Sequence, residues 1–500
     1  MNKPSGINVL WFKRDLRLRD HEPLKAAIEA GQQSGRPLLL LYCFEPSVMA
    51  DPNYAMRHWR FVYESLTDLN GQLMDLPITY TAPVYLFQRE VIDVLTALHR
   101  QFTIHTLYSH QETGLRITYD RDKIVARFCQ QHRLDWREYE SNAVRRGLKT
   151  GVGVQANWDR TMQQCQQQPD LTRWQPVRLL ANWYEVERGP ALPDDWQQTD
   201  PQFQPGGERN AHRYMTSFFA QRIAQYENSI SKPLESRRGG SRLSPYLAWG
   251  CLSARQVYQA YQQAVRPPNG SNGIRPSALF ISRLRAQSYF IQLFERDERI
   301  EFENKHSAFD ALEKQVNPAH FLAWQTGQTG YPLIDACMRC LIATGYVNFR
   351  MRALLISFLT HHLFQHWQEG GWHLARQYTD FEPGIHYAQL QLQAGILASD
   401  RQPVRIYNPV KQSQEHDPEG QFIRQWVPEL VACPTRYIHQ PWTMPALEQQ
   451  TAGCRIGQEY PAPIIDTKQT YQFAQEQFYK FRNQITSSRS DLPGDHLVER

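Results

Sequence analysis

The sequence predicts an α/β N-terminal domain, a doubly wound parallel sheet, joined to an all-α C-terminal domain. One observation predicts the first part. Residues 7 to 139 alternate short apolar runs with amphipathic stretches of helical period, and such alternation builds a parallel sheet covered on both faces. The second observation is a change of pattern: after Glu208 no strand-like run appears, and apolar residues recur at three- and four-residue spacing. The domain boundaries follow as 1–140, a connector over 141–207, a helical domain over 208–485, and a polar tail over 486–500, expected to be mobile.

Each element has its own warrant. INVLWF from Ile7, PLLLLYCF from Pro37, ITYT from Ile78, TIHTLYS from Thr103 and DWREY from Asp135 read as strands. HEPLKAAIEAG from His21, Met56 to Leu73, Leu86 to Arg100 and Ile117 to His132 read as the helices between them. Ligands on such sheets sit beyond the strand carboxyl ends, where WFKRDLRLRDH turns from strand to polar loop after Phe12. No G-x-G-x-x-G follows that strand, so the dinucleotide fingerprint is missing there. The connector is rich in Gln, Pro, Trp and Asp, and its tryptophans are expected to order it. Helices are expected over Ala211 to Glu227, Ser253 to Ala264, Ser277 to Phe294, Pro332 to Ala343, Arg350 to Trp367 and Thr470 to Phe481.

Composition bounds the function. Charged residues are 21% and apolar ones 41% of the 500 residues, and the net charge is +5, which describes an ordinary soluble globular protein. Arg14, Arg17 and Arg19 cluster near the start, Arg237, Arg238 and Arg242 mid-chain, with Arg283 and Arg285 beyond. Such clusters suit phosphate partners. Eight cysteines without a disulfide framework, no signal peptide and no run of about 18 apolar residues point to a reduced, cytoplasmic protein with no membrane partner.

Trp324 to Gly395 is where function concentrates, because it sets Arg350, Arg352, Asp380, Glu382 and His386 in an apolar context. Buried ionisable groups persist when paired or bound to something polar. SRLSPYLAWGCLS holds a Ser244-Pro245 pair that reads as an N-cap with proline at N1, and a helix N-terminus suits an anion. Cys337 and Cys340, with Cys433 and Cys454, offer four thiols, and His362 and His366 stand at i, i+4. Helix packing is the preferred reading of both sets, so no metal is expected.

SRLSPYLAWGCLS, WQTGQTGYPLIDACMRCLIATGY, FRMRALLISFL, HWQEGG and RIYNPVKQSQEHDPEGQFIRQWVPEL occur in the order and spacing of the DNA photolyase and cryptochrome flavoproteins, and WFKRDLRLRDHEPL resembles that family's first strand and loop. The resemblance covers nearly the whole chain up to Tyr437. It implies a C-terminal domain that binds FAD, a blue-light flavoprotein, and a deoxyribodipyrimidine photolyase-type carbon–carbon lyase acting on pyrimidine dimers in damaged DNA, with a cryptochrome-like photoreceptor and its signalling partner as the alternative. A monomer is expected.

Carried over by motif, Tyr226, Gly240, Ser241, Arg242, Leu243 and Ser244 would hold the pyrophosphate and ribityl side of FAD, with Arg350 also in the cofactor set. Arg352 would pair with Asp380 at the isoalloxazine, Glu382 would be a second acid of the pocket, and His386 would face the flavin N5. Arg283, Arg285, Arg405 and Lys411 would contact DNA phosphates. Departures are equally specific. Phe349 and Ala353 fall where dimer-repairing relatives carry an Asn and a Met, and Arg283 and Ala286 where they carry an acid and a stacking Trp. The family's electron-feeding tryptophan chain keeps its middle member, Trp367, while Leu390 and Lys314 occupy the flavin-proximal and surface places. Trp372, Tyr378 and Tyr387 are the other aromatic candidates by sequence. Gly114 and Leu115 replace the Asn-Glu pair of folate-using relatives, which leaves a deazaflavin, a second flavin or no pigment as antenna chromophore.

Overall fold

The computed structural model describes residues 6–77, 81–267, 273–314, 316–397 and 404–487, the last six without their side chains. The chain forms two compact units. The sheet unit comprises Met1–Ala224, Ser241–Glu298 and Thr379–Ile385, and the helical unit Gln225–Gly240, Arg299–Tyr378 and His386–Arg500.

In the sheet unit, β1 (Ile7–Phe12), β2 (Leu38–Cys43), β3 (Tyr85–Phe87), β4 (Ile104–His110) and β5 (Asp135–Tyr139) form one sheet of order β3-β2-β1-β4-β5. All pairings are parallel, with Asn8 opposite Leu38, Leu41 opposite Tyr85 and Thr106 opposite Asp135. Every residue of β1 and β2 is buried, as continuous apolar strands covered on both faces must be. The helices Glu22–Ser34, Met56–Met74, Val91–Phe102 and Arg116–His132 connect them. The expected third strand at Ile78 lies, apart from Thr81, outside the described residues. The third strand is Tyr85–Phe87, read from sequence as the approach to a helix beginning at Leu86; three residues are too short to show a strand period. The connector is ordered by burial of Trp158, Trp174 and Trp196, with the Trp174 indole N–H donating to the Leu38 carbonyl at 3.0 Å.

Two helices expected to be continuous are interrupted. Glu208–Ser217 gives way to a wider turn over Phe218–Arg222 before Tyr226–Ser229. Phe349–Ser357 likewise widens over Phe358–His362, reverses at Phe364 (φ 53°), and restarts as Trp367–Gln377 with His366 as N-cap. His362 explains part of this: its Nδ1 meets the Thr470 hydroxyl at 2.9 Å and its Nε2 the Tyr407 carbonyl at 3.0 Å. With both nitrogens occupied and the helix broken before His366, the i, i+4 pair is structural. Among the described residues, Cys337, Cys340, Cys433 and Cys454 are buried, form no disulfide and do not gather into a metal-holding group. No described helix is long and apolar enough to cross a membrane. The tail from residue 488 lies outside the described residues.

Candidate functional site

The loop after β1 is built on charge. Lys13 ion-pairs with Asp122 at 2.6 Å, and the Asp15 carboxylate accepts the Lys13 N–H at 2.7 Å. Arg14 donates through Nε to the Ala248 carbonyl at 3.0 Å and through Nη2 to the Phe381 carbonyl at 2.5 Å, lies over the Trp249 ring, and reaches Glu382 at 3.3 Å. The Glu208 carboxylate accepts the N–H groups of Leu18 and Arg19. Arg14 and Arg17 were expected to face phosphates. Both instead turn inward, where Arg14 satisfies the carbonyls of Ala248 and Phe381 and Arg17 those of Asp20 and Gly250.

The segment Thr379–Ile385 belongs to this unit. The Trp249 indole N–H donates to the Thr379 carbonyl at 3.0 Å, and Phe381 packs against Tyr54 and His58. Burial pushes the Glu382 carboxyl up, and Arg14 opposes that shift. Glu382 is thus the counter-charge of Arg14, a partnership between residues 368 positions apart that no local pattern signals. Asp380 is buried in the same segment. The Thr379 hydroxyl and Arg14 Nη1 are buried without a hydrogen-bond partner among the described residues. A polar group rich in acceptors fits these donors.

Ser244 does not cap a helix. It is the first residue of the short helix Ser244–Ala248, and Leu243 stands at the cap with no side-chain bond. Arg242 adopts a left-handed backbone (φ 59°), locked by Gln204, whose amide donates to the Arg242 carbonyl at 2.7 Å while accepting from its Nε at 3.2 Å. Ser241 is partly exposed. In the helical unit, Gly239 and Gly240 are required for close packing: a Cβ would lie 2.2 Å from the Ser229 hydroxyl and 2.5 Å from the Ser236 carbonyl respectively. Tyr226 is buried nearby in sequence.

The helical unit holds the remaining predicted residues. Asn348 caps Phe349–Ser357, accepting from the Met351 N–H and donating to the Ile230 carbonyl at 2.9 Å. Arg352 donates to the Val347 carbonyl at 2.9 Å and lies 4.1 Å from the Tyr378 ring centroid. His386 is buried, with Nε2 2.9 Å from the Gly371 carbonyl, and its ring meets Tyr378 and Tyr387 edge-on. Tyr387 continues to Trp367 at 6.2 Å between centroids, and the Trp367 indole N–H donates to Asn304 at 2.8 Å. The glycines of HWQEGG let this helix approach its neighbours: a Cβ on Gly371 would meet Leu390 at 2.7 Å.

One residue emerges that sequence reasoning missed, and one stands differently from its sequence reading. Asp335, buried, accepts from the Thr329 hydroxyl and N–H, the Gly330 N–H and the Tyr460 hydroxyl; burial raises its carboxyl despite them. Lys314, at the place read as the surface end of the tryptophan chain, is half-buried, with its ammonium turned inward. Its ammonium donates to the Thr360 carbonyl at 3.0 Å and sits 4.0 Å from the Phe364 ring centroid. Burial pushes its pKa down to about 7.

Of the residues expected to meet phosphates, Arg283 is exposed on the helix Ala278–Arg296. Arg285 is engaged with Asp159 at 3.3 Å over the Trp158 ring. Arg405 is exposed, and among the described residues no carboxylate pairs with it. Lys411 lies on the helix Pro409–His416, which Asn408 caps, and pairs loosely with Glu415 at 3.8 Å. Arg350, half-exposed, lies near enough to His416 to help burial lower its pKa, as does Lys232. Phe349, beside Arg350, is 37% exposed, whereas Ala353 is buried.

Comparison with known proteins adds to this geometry. The family model described as the FAD binding domain of DNA photolyase matches residues 280–480, and the model described as DNA photolyase matches residues 8–188. The chain is 28% identical to a cryptochrome DASH of Synechocystis sp., covering 92% of this chain and 96% of the relative. It is 27% identical to a deoxyribodipyrimidine photo-lyase of Vibrio cholerae, covering 93% and 97%. The crystal structure of a Synechocystis cryptochrome superposes with a TM-score of 0.81 at 24% identity, covering 95% of this chain and 100% of that one.

Proposed function

Because the chain belongs to the DNA photolyase and cryptochrome flavoprotein family and carries its FAD-binding domain, we propose that it is a blue-light-driven DNA repair enzyme, a deoxyribodipyrimidine photolyase-type carbon–carbon lyase acting on pyrimidine dimers. One observation carries the choice of repair over signalling. Arg350 and Lys232 gather around His416, on the helix that bears Lys411, next in sequence to the exposed ring of Phe349. Cations that hold phosphates and an aromatic face that stacks on an unpaired base are what a lesion-flipping surface requires. Arg405 and Arg283 are further phosphate contacts in this reading. Arg350 thereby moves from the cofactor set to the DNA-facing set.

FAD, when bound, supplies the light-driven electron transfer that such a lyase needs. Tyr226, Gly240, Ser241, Arg242, Leu243 and Ser244 are assigned to its pyrophosphate and ribityl part, and Arg352, Asp380 and His386 to its ring. The guanidinium of Arg352 would balance negative charge on the ring. Within the sheet unit, the Thr379 hydroxyl and Arg14 Nη1 remain buried donors for an acceptor such as water. Glu382 would act indirectly, by holding Arg14.

The alternative, a photoreceptor without repair activity, draws support from Ala353, whose small, buried side chain stands where dimer-repairing relatives carry a lesion-facing Met. Ultraviolet-damaged oligonucleotides decide between the two. Blue light in the presence of the purified protein should remove cyclobutane pyrimidine dimers, and darkness should not. Persistence of both cyclobutane dimers and (6-4) photoproducts under light would leave the photoreceptor reading standing and remove the enzyme.

A further inference from the structure

The helix Pro409–His416 presents Lys411, whose side chain is 73% exposed. With eight residues it is too short to be stable by itself, and its buried face consists of Pro409, Gln412 and Ser413. Its order must come from what holds its two ends. The leading end is fixed by its approach: the Tyr407 N–H donates to the Ser357 hydroxyl at 3.1 Å, and the Tyr407 carbonyl lies 3.0 Å from His362 Nε2. Asn408 then caps the helix by accepting from the N–H groups of Val410 and Lys411.

The trailing end is held by His439, 26 positions from Ser413 in the chain. Its Nδ1 lies 2.6 Å from the Ser413 hydroxyl, and its Nε2 lies 3.0 Å from the Pro418 carbonyl. A carbonyl can only accept, so in the neutral ring the proton sits on Nε2 and goes to Pro418, while Nδ1 accepts the Ser413 hydroxyl. One imidazole thus ties the last turn of the helix to the chain that leaves it. Ser413 is 2% exposed, so little water competes for its hydroxyl.

The clamp is itself held in place. Ile438, next to His439, packs against Gly420, where φ is 62° and a Cβ would lie 2.5 Å from the Ile438 side chain. Arg424 donates through Nη2 to the Cys433 carbonyl at 2.9 Å and to the Thr435 hydroxyl at 3.2 Å. Asp417 accepts the N–H groups of Phe422 at 3.0 Å and Ile423 at 2.9 Å. The segment that bears His439 and the turn that bears Pro418 are therefore fixed to each other, and Ser413 is the point at which the helix joins them.

We propose that His439 is a positioning residue of the DNA-facing surface: through Ser413 and Pro418 it orders the helix that presents Lys411 to a backbone phosphate. This role rests on the repair reading above, in which that helix faces DNA. With the anchor cut, the phosphate contact must also offset the entropy of ordering the helix, and it is lost.

The test uses the FAD-loaded full chain and a fluorescent duplex containing one cyclobutane pyrimidine dimer, with binding read in the dark by anisotropy over a series of salt concentrations. Each phosphate neutralised contributes about 0.9 to the slope of log K against log salt. Lys411→Ala should lower the slope by about that amount and weaken binding about threefold, as for one exposed ion pair. His439→Ala should do the same, although its ring is turned to Ser413 and Pro418, and adding it to Lys411→Ala should weaken binding no further. Ser413→Ala cuts the same bond from the helix side with the imidazole left in place, and should repeat the loss. A histidine that served stability alone would lower the Tm and leave the slope unchanged. A wild-type slope in either His439→Ala or Ser413→Ala, or additive losses in the double variant, would overturn the positioning role. An unaffected Lys411→Ala variant would instead remove the DNA-facing reading of this helix, and the role with it.

Discussion

In the sheet unit, Lys13, Arg14 and Arg121 lie against carboxylates, with Asp122, Glu382, Glu45 and Glu112 as their counter-charges, of which Glu45 and Glu112 stand in the turns that follow β2 and β4. In the helical unit, Lys314 lies against two phenyl rings and one carbonyl, and Asp335 is answered by hydroxyls and N–H groups. The contrast follows from the backbone. Loops at strand ends leave carbonyls and N–H groups free to share with ion pairs, whereas helices satisfy their own and leave a buried charge only side chains and helix ends. Removing one partner should therefore hurt most in the sheet unit, and removing a charge altogether should help in the helical unit.

The largest effect expected is at Arg14. Arg14→Ala strands Glu382 in the interior, and breaking a buried pair from one side costs about 3–5 kcal/mol; urea denaturation should show it, and Glu382→Gln in the same chain should recover part of the loss. Recovery of nothing would mean that Arg14 acts through its carbonyl bonds alone. Gly250→Ala comes next, since its Cβ would lie 2.2 Å from the Arg14 carbonyl oxygen at φ 70°. Overpacking against backbone costs about 1–3 kcal/mol, read as a lowered Tm.

Lys314 sharpens the comparison from the other side. Its folded pKa of about 7 lies below the ordinary lysine value, so from pH 7 upward to that ordinary value the unfolded chain binds more protons and stability rises with pH. Lys314→Met should stabilise the protein by about 1–2 kcal/mol at pH 6, as when apolar residues replace buried charge, and the gain should fade toward pH 10. A gain independent of pH would contradict the buried-ammonium account. The smallest effect is at Asn348, where Asn348→Ala removes a helix cap worth about 1 kcal/mol, measured by chemical denaturation.

Legibility in the sequence follows the range of the forces. β1 and β5 were readable to the residue because five- and six-residue strands bounded by polar residues announce themselves, while Tyr85–Phe87 is too short to do so. The break after Ser357 was hidden because Phe358 to Leu363 keeps an apolar pattern while His362 bonds to residues more than forty positions away. The Ser244-Pro245 signal gave a helix start one residue too late, since the helix begins at Ser244 with Leu243 at the cap. The motifs located the charged segment Asp380–Glu382, yet Arg14 as the partner of Glu382, and Lys232 with Arg350 around His416, exist only once the chain is folded.

The central claim, that this chain is an FAD protein, is tested most directly by the absorption spectrum of the protein purified from riboflavin-replete cells, with the released pigment identified by chromatography. The account predicts a flavin spectrum and one FAD per chain in the helical domain, accompanied or not by an antenna pigment. A colourless protein that takes up no FAD when it is supplied would contradict it.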